Sequence, residues 1–397
     1  MKMTTWALGL VSAFALAAHA DSGSSPSSQA ASFTTLITTP LAIEGLTNDA
    51  QGNLYAPGRA LAATDPCPIY RTSIDSPSLT IVGLIPPTTP TCSPSGLAFG
   101  PDGQLYVTQN DGRIYRLTPS SSGTPPTATV FASNVPGNNG LAFDWNGNLW
   151  TGDGTTAQGR VWRIAPDGTV TEVFRIQPMS NEVTNATLGI SGVGRDVRSL
   201  GPGTIAITAT TRNASNALGS QPLVANGLAF DRHHNLFIAD TARGAIWAVH
   251  LHDDSTPQAS MGCDTTFTAN TLCLSHIYVA HPNLEGVDGI VLDAAGNIWA
   301  DANERNAVAF VFQNRQVIDV FRNPVDAATS LRNAGPLETP TSPVLVGHKF
   351  CTANSDGNRR DNFPNTAGEI SPAGPARGKI SCLDQRVTIP GAALPVH

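Results

Sequence analysis

The segment GLAFDWNGNLW, residues 140–150, decides the fold, because its pattern recurs along the chain. Each copy opens with glycine and an aliphatic residue, carries Leu or Ile nine positions after that glycine, and has an aromatic residue next. In four of the five copies a second glycine stands seven positions after the first, inside a polar turn. The copies begin at Gly45, Gly96, Gly140, Gly227 and Gly289. Each copy is therefore predicted to form a strand, a tight turn with a positive-φ glycine, and a second strand.

Two further strand-like runs usually follow each copy. After the copy at Gly289 they are residues 307–312 and 316–321, and after the copy at Gly96 they are residues 113–117 and 127–131. Four strands per repeat with a recurring aromatic residue predict an all-β fold of the β-propeller type. No amphipathic helical segment separates the strands, which disfavours a parallel β/α fold.

A sixth, degenerate copy is predicted near the C-terminal end. Its strands would be residues 342–346, 350–352 and 378–383. The missing fourth strand can come from residues 33–37, which would close the ring and leave no free sheet edge.

The spacing between Gly140 and Gly227 leaves the blade count open. These 87 residues hold either a long insertion, roughly residues 177–220, or a seventh, degenerate blade. The insertion is preferred because nothing inside it matches the repeat. A six-bladed propeller over residues 33–387 is therefore expected, with seven blades as the alternative.

The N-terminal residues predict export. Residues 1–20 begin with Met-Lys, continue with an apolar run and end in Ala-His-Ala, as a cleaved signal peptide does. The apolar run is shorter than the about 20 residues that span a bilayer. The serine-rich residues 21–32 are interpreted as a flexible lead-in, and residues 388–397 as a C-terminal tail. A periplasmic or secreted protein is expected.

Charge and cysteine content narrow the class further. Charged residues make up 13% of the chain, the net charge is −7, and no Lys/Arg cluster follows a phosphate backbone, so neither nucleic acid nor a membrane is an expected partner. Six cysteines in an exported chain favour disulfides over metal thiolates. Proximity in sequence suggests three pairs among the many pairings that six cysteines allow. The pairs are Cys67–Cys92, Cys263–Cys273 and Cys351–Cys382.

The residue before each opening glycine carries a side-chain oxygen in every copy. These pre-glycine residues are Glu44, Ser95, Asn139, Asn226, Asp288 and Ser342. Equivalent positions in a propeller lie at one height around the axis, so their oxygens can converge. Two carboxylates balance a divalent charge, and an oxygen-only set favours Ca²⁺ or Mg²⁺. The alternative is that these residues only make turns or cap strands.

The same residues resemble a known family. The ordered set of Glu44, Asn139, Asn226 and Asp288, each before glycine, is similar to the senescence-marker-protein/gluconolactonase/luciferin-regenerating-enzyme-like propellers. Paraoxonases and diisopropylfluorophosphatase are wider relatives. The resemblance covers about residues 36–385 and implies a six-bladed propeller that hydrolyses lactones or phosphoesters. It also implies that Glu44, Asn226 and Asp288 bind the metal, with Asn139 as a ligand or as a water and substrate contact.

The expected chemistry is hydrolysis of a lactone or related ester. Ca²⁺, or alternatively Mg²⁺, Mn²⁺ or Zn²⁺, would polarise the carbonyl of a small-molecule substrate. Asp288 is the first choice of general base and His281, seven residues upstream, the second. A further group of acids late in the second strands is interpreted as structural hydrogen-bond acceptors. These acids are Asp153, Asp240 and Asp301.

Two alternative functions remain open from the sequence. One is a metal-dependent lyase of the streptogramin-inactivating type, which would require a histidine base over the channel and seven blades. The other is a binding propeller without enzymatic activity, since propellers often bind proteins through their loops. A monomer is favoured, and the substrate is not determined by the sequence.

Overall fold

The computed structural model describes residues 31–154, 159–177, 225–241, 243–262, 268–323, 336–347, 349–355 and 377–383. The predicted signal peptide, most of the lead-in, the C-terminal tail and nearly all of the predicted 177–220 insertion lie outside the described residues. None of the described helices is long and apolar enough to cross a membrane.

The protein is a six-bladed β-propeller, as predicted. Blade 1 contains β2 (Thr47–Asn48), β3 (Asn53–Pro57), β4 (Cys67–Ser73) and β5 (Thr80–Ile85). Blade 2 contains β6 (Pro94–Phe99), β7 (Leu105–Gln109), β8 (Arg113–Leu117) and β9 (Thr129–Ala132). Blade 3 contains β10 (Asn138–Phe143), β11 (Leu149–Asp153), β12 (Arg160–Ile164) and β13 (Val170–Ile176). Blade 4 contains β14 (Ala225–Phe230), β15 (Asn235–Asp240), β16 (Ala245–His250) and β18 (Ile277–Ala280). Blade 5 contains β19 (Val287–Leu292), β20 (Ile298–Ala302), β21 (Ala307–Val311) and β22 (Val317–Arg322). Blade 6 contains β23 (Pro340–Val346), β24 (Lys349–Asn354), β25 (Lys379–Leu383) and β1 (Phe33–Thr38). Short 3-10 helices span Leu274–His276, Pro282–Leu284 and Asn303–Arg305.

The recurring aromatic residue is explained by the turn that precedes it. In blade 3 the carboxylate of Asp144 accepts hydrogen bonds from the backbone and side chain of Asn148 and, at 2.8 Å, from the indole of Trp150. In blade 1, Asp49 accepts from the hydroxyl of Tyr55, also at 2.8 Å. The turn acid therefore holds the first and second strands together through the aromatic side chain. This explains why both residues recur in the repeat.

Blade 4 lacks the turn glycine, and a compensating contact replaces it. His234 takes the glycine position with a φ of 63°, a conformation that is unfavourable for a residue with a side chain. Its ring stacks on Trp145 of blade 3, with centroids 3.6 Å apart and planes 8° apart. The stacking offsets the cost of the left-handed turn and ties the two blades together.

The ring closes as predicted. Strand β1 pairs antiparallel with β25 as the outer strand of blade 6. Phe33 at its start packs against Phe321 of blade 5 and Phe350 of blade 6, with ring centroids 5.2 and 5.9 Å away. The N-terminal strand therefore covers the edge of blade 6 and also joins it to its neighbour.

The segment between β16 and β18 adds a strand to blade 3, which the repeat pattern did not predict. Its strand β17, Thr271–Leu272, pairs in parallel with β13 and becomes a fifth strand of blade 3. The same segment also contacts the turn between β10 and β11 of blade 3, where the backbone carbonyl of Asp253 accepts hydrogen bonds from the side chains of Trp145 and Asn146. The segment therefore clamps blade 4 to blade 3.

Two of the three predicted disulfides are confirmed. Cys67 and Cys92 are bonded with Cα atoms 5.9 Å apart, and Cys351 and Cys382 face each other on β24 and β25 with Cα atoms 4.0 Å apart. Cys273 is disulfide-bonded, while its predicted partner Cys263 lies outside the described residues.

Candidate functional site

The pre-glycine residues form a ring around the axis, because each opening glycine abuts the next blade. A Cβ atom on Gly96 would lie 2.3 Å from the carbonyl oxygen of Asn139, and one on Gly227 would lie 2.6 Å from that of Asp288. No larger residue could occupy these positions without separating the blades. The ring is closed where the Thr341 hydroxyl of blade 6 donates to the carbonyl of Glu44, at 2.6 Å.

The axis inside this ring is narrow. A cavity of about 70 Å³ is lined by opening glycines and by the aliphatic residues that follow them, including Leu97, Leu228 and Ile290. Asn139, Asn226 and Asp288 at the end of this channel are 7%, 6% and 5% exposed. Three polar side chains are thus buried next to the glycines that line this channel.

Each of these side chains meets the residue fifteen positions later in its own blade. The amide of Asn226 donates to the Thr241 hydroxyl at 3.2 Å, and the amide of Asn303 donates to Asp288 Oδ2 at 2.9 Å. In blade 3 the partner is Gly154, where a Cβ atom would lie 2.4 Å from Asn139 Nδ2. The partner therefore orients the pre-glycine side chain or leaves room for it.

Blade 1 shows a different arrangement. The residue fifteen positions after Glu44 is Arg59, and its guanidinium forms an ion pair with the Glu44 carboxylate. The Glu44 side chain is 13% exposed and the Arg59 side chain 34%. The charge of Glu44 is therefore already balanced by the protein.

Asp301 of blade 5 is a buried acid that accepts a hydrogen bond from the neighbouring blade, as expected of a structural acceptor. It is fully buried, and its Oδ2 lies 2.5 Å from the Thr352 hydroxyl of blade 6. Burial raises the pKa of this carboxyl well above its ordinary value, the Thr352 hydrogen bond opposes the rise, and the nearby charge of Asp288 adds to it.

The three late acids differ in the partners that they accept from. Asp153 and Asp240 are indeed structural acceptors, paired with Arg160 and Arg243 at 2.7 and 2.9 Å. No such cation contacts Asp301 within the described part of the chain, and its Oδ1 accepts no hydrogen bond there.

His281 has a structural role in this conformation. Its Nδ1 accepts from the backbone N–H of Asn283 at 3.1 Å and caps the 3-10 helix Pro282–Leu284. The ring nitrogen closest to that helix is therefore not available to remove a proton, so His281 is a weaker choice of base than Asp288.

The donor set fits a hard divalent cation on the side of blades 4 and 5. All its donors are oxygens, and neighbours orient Asn226 and Asp288 from behind. Two more buried oxygens close by, Asp301 Oδ1 and Asn303 Oδ1, lack a hydrogen-bond partner among the described residues. Over those same residues no group of three or more His, Cys, Asp or Glu side chains is placed to hold a metal, so this set depends on amides as well as acids.

A larger cavity lies at the opposite end of blades 4 and 5. It measures about 640 Å³ and is lined by the turns that contain Asp231 and Asp293, with Phe237 and Tyr278 as a wall. Both acids already hold their own turns, since Asp231 accepts from Asn235 and Asp293 from Asn297. We assign no chemistry to this cavity.

Sequence reasoning found the ring but missed its partners. The constant fifteen-residue spacing from Glu44 to Arg59, or from Asp288 to Asn303, is visible in the sequence and would have identified them. Asp301 was visible too, because it stands one position earlier in its repeat than Asp240 does in its own.

Two protein families match parts of this chain. The family described as SMP-30/Gluconolactonase/LRE-like region matches residues 196–338, which confirms the resemblance over that part of the chain. The family described as Strictosidine synthase-like, N-terminal, matches only residues 93–117. No curated protein sequence matches the chain.

Solved structures share the fold at low sequence identity. A putative gluconolactonase is similar with a TM-score of 0.52 and 14% identity, covering 91% of this chain and 94% of its own. Regucalcin from Agrobacterium tumefaciens, described as a calcium-binding protein, has a TM-score of 0.50 and 19% identity, covering 91% and 97%. A PQQ-bound aldose sugar dehydrogenase from Streptomyces coelicolor has a TM-score of 0.51 and 15% identity, covering 89% and 98%. These similarities show the propeller fold, which carries different chemistries.

Proposed function

We propose that this protein is an exported hydrolase that uses a divalent cation to open a lactone or related ester at the ring end of its channel. The observation that carries the proposal is the ring of pre-glycine residues, in which Asn139, Asn226 and Asp288 present buried oxygens at one height. The similarity to the SMP-30/gluconolactonase region and to a putative gluconolactonase supports this choice of chemistry. The calcium-binding description of regucalcin supports the choice of ion.

In this proposal Glu44, Asn139, Asn226 and Asp288 surround the cation, and Asn139 also contacts the substrate. Bound there, Ca²⁺, or in its place Mg²⁺, Mn²⁺ or Zn²⁺, would supply positive charge to the carbonyl oxygen of the substrate. Asn303 holds the Asp288 carboxylate in one orientation through its 2.9 Å hydrogen bond. The narrow channel lined by the opening glycines would keep the bond to be broken at the channel end.

The residue we assign as base is Asp288. It would take a proton from water as the oxygen adds to the carbonyl carbon. The ring C–O bond then breaks, the proton passes to the released alkoxide, and the product is a hydroxy acid. Asp288 ends in its starting state, so the atoms and charges balance over the cycle.

Export rests on separate observations. The disulfides Cys67–Cys92 and Cys351–Cys382 suit an oxidising compartment, and we propose that residues 1–20 are removed as a signal peptide. The mature chain would then be the lead-in of residues 21–32, the propeller of residues 33–387 and the tail of residues 388–397.

The lyase alternative has lost its support. It requires seven blades and a histidine base over the channel, whereas the fold has six blades and Nδ1 of His281 is engaged in capping. A binding propeller remains as the outcome if no hydrolysis is found.

The test is a panel of aldono-, alkyl- and aryl-lactones followed by acid release. We expect hydrolysis that chelation abolishes and Ca²⁺ restores. Asp288→Asn should lower kcat by roughly 10²–10⁴-fold, the usual contribution of a general base. Asp49→Asn, in a turn at the other end of blade 1, is the control and should keep full activity.

Two results would contradict the proposal. One is the absence of hydrolysis across the panel by folded protein supplied with Ca²⁺. The other is full activity of the Asp288→Asn variant.

A further inference from the structure

Blade 5 contains a second carboxylate beside Asp288. Strands β19 and β20 pair Val287 with Ala302 and Ile290 with Ala300, so Asp301 lies opposite the bulge that contains Asp288. Asp301 is fully buried and Asp288 is 5% exposed. Two buried acids so close together need a counter-charge or a shared proton, because desolvated like charges repel strongly.

Two oxygens at this place lack a partner. Asp301 Oδ1 and Asn303 Oδ1 are buried and accept no hydrogen bond from the described residues. Asn303 is only 2% exposed, and its amide faces Asp288, to which Nδ2 donates. Buried polar atoms are nearly always satisfied, so these two oxygens have acceptor capacity that a bound cation could use.

Blade 1 cannot supply the same charge. The Glu44 carboxylate is held in an ion pair by Arg59, so a cation at Glu44 would have to displace a guanidinium. No positively charged side chain among the described residues competes for Asp301, whose one hydrogen-bond partner there is Thr352. Among the described residues Asp301 therefore has no cationic partner, unlike Glu44.

We propose that Asp301 and Asn303 belong to the cation site with Asp288, and that the two aspartates of blade 5, rather than Asp288 and Glu44, balance the charge of the ion. The inference rests on the proposed cation dependence but not on the identity of the substrate. It moves the ion from the axis toward blade 5, on the side where Asp301 meets Thr352 of blade 6.

The test is calorimetric titration of CaCl₂ into chelator-stripped, full-length protein. Asp301→Asn should weaken binding by about 100-fold, because affinity follows the charge of the ligand set. Glu44→Gln should weaken it by about tenfold, the lower end of what residues outside the direct ligand set contribute. Asp240→Asn removes an equally buried acid that is committed to Arg243, so its affinity should match that of the wild type.

Thermal unfolding separates a ligand from a structural residue. In chelator, Asp301→Asn should melt at the same temperature as the wild type or higher, because the repulsion with Asp288 is removed. It should lose the rise in melting temperature that Ca²⁺ gives the wild type. Asp240→Asn should show the reverse: a lower melting temperature with the Ca²⁺-dependent rise intact.

The outcomes distinguish this inference from the proposed function. Wild-type affinity in Asp301→Asn, or a larger loss in Glu44→Gln than in Asp301→Asn, overturns the inference alone. Calcium binding as expected with no lactone hydrolysis overturns the proposed substrate and supports the inference. Wild-type protein that binds none of Ca²⁺, Mg²⁺ or Mn²⁺ overturns both.

Discussion

Blades 4 and 5 each bury an aspartate completely near the end of the second strand, yet the two acids have opposite surroundings. Asp240 accepts from the guanidinium of Arg243 at 2.9 Å and from the indole of Trp247 at 3.1 Å. Asp301 meets only the hydroxyl of Thr352 within the described residues. The protein has neutralised one acid itself and has left the other with acceptor capacity, which separates a structural acid from a candidate ligand.

The difference arises from one residue of register. Asp240 comes thirteen positions after its opening Gly227, and Asp301 comes twelve after Gly289. Successive side chains on a strand point to opposite sides, so the two acids face different neighbours. Asp301 shares its register with Thr108 of blade 2, which bridges to blade 3, and therefore points into the junction with blade 6.

The largest expected effect is at Asp240, the acid that Arg243 neutralises. Asp240→Ala should lower the free energy of unfolding by about 3–5 kcal/mol, because it removes the carboxylate to which the buried Arg243 guanidinium donates. Arg243 is 1% exposed, so water cannot replace the carboxylate. Chemical denaturation of both proteins checks this, and a loss below about 1 kcal/mol would show that blade 4 is not closed as described.

The contribution of Asp301 to the free energy of unfolding should depend on pH. Burial raises the pKa of Asp301 above 3.8, so the folded protein holds this proton more tightly than the unfolded chain. The resulting stability is present at low pH and is lost as the pH rises from 3.8 through the folded-state pKa, by up to about 1.4 kcal/mol per pH unit.

The comparison is between wild type and Asp301→Asn in chelator. Above pH 3.8 the free energy of unfolding of the wild type should fall relative to that of the variant as the pH rises. Parallel curves from denaturant melts at several pH values would contradict the assigned shift.

A smaller effect is expected at the equivalent position of blade 2. The Thr108 hydroxyl accepts from the backbone N–H of Gly96 and donates to the carbonyl of Asn139, both at 2.7 Å. Thr108→Val should cost about 1–3 kcal/mol through the unsatisfied backbone groups, with no change in Ca²⁺ affinity. Weaker Ca²⁺ binding in this variant would show that the junctions, and not Asp301 itself, control the site.

The smallest effect concerns Arg59 in blade 1. Its ion pair with Glu44 is partly exposed, so Arg59→Gln should change the free energy of unfolding by about 1 kcal/mol or less. Calcium affinity should rise a few-fold, because a positive charge leaves the ring, and titration at low and high salt would show the gain shrinking as screening increases. A fall in affinity would mean that Arg59 supports the cation site.

The sequence alone was enough to predict the propeller, the closing strand and two disulfides. The signals for these are local or strictly periodic: the glycine, turn and aromatic pattern repeats because each blade solves the same packing problem between strands. The ring of Glu44, Asn139, Asn226 and Asp288 could be proposed for the same reason, since equal register in equal units means equal height.

Only the tertiary structure decided which charges are already balanced. The fifteen-residue spacing places Arg59 beside Glu44 in the same blade, but the meeting of Asp301 with Thr352 of another blade and the pairing of β17 with β13 join residues that no short period relates. Such contacts depend on how blades pack side by side, because a side chain's partner is set by geometry across the junction. The repeat therefore determined where the oxygens lie, and packing determined which of them remain to bind something else.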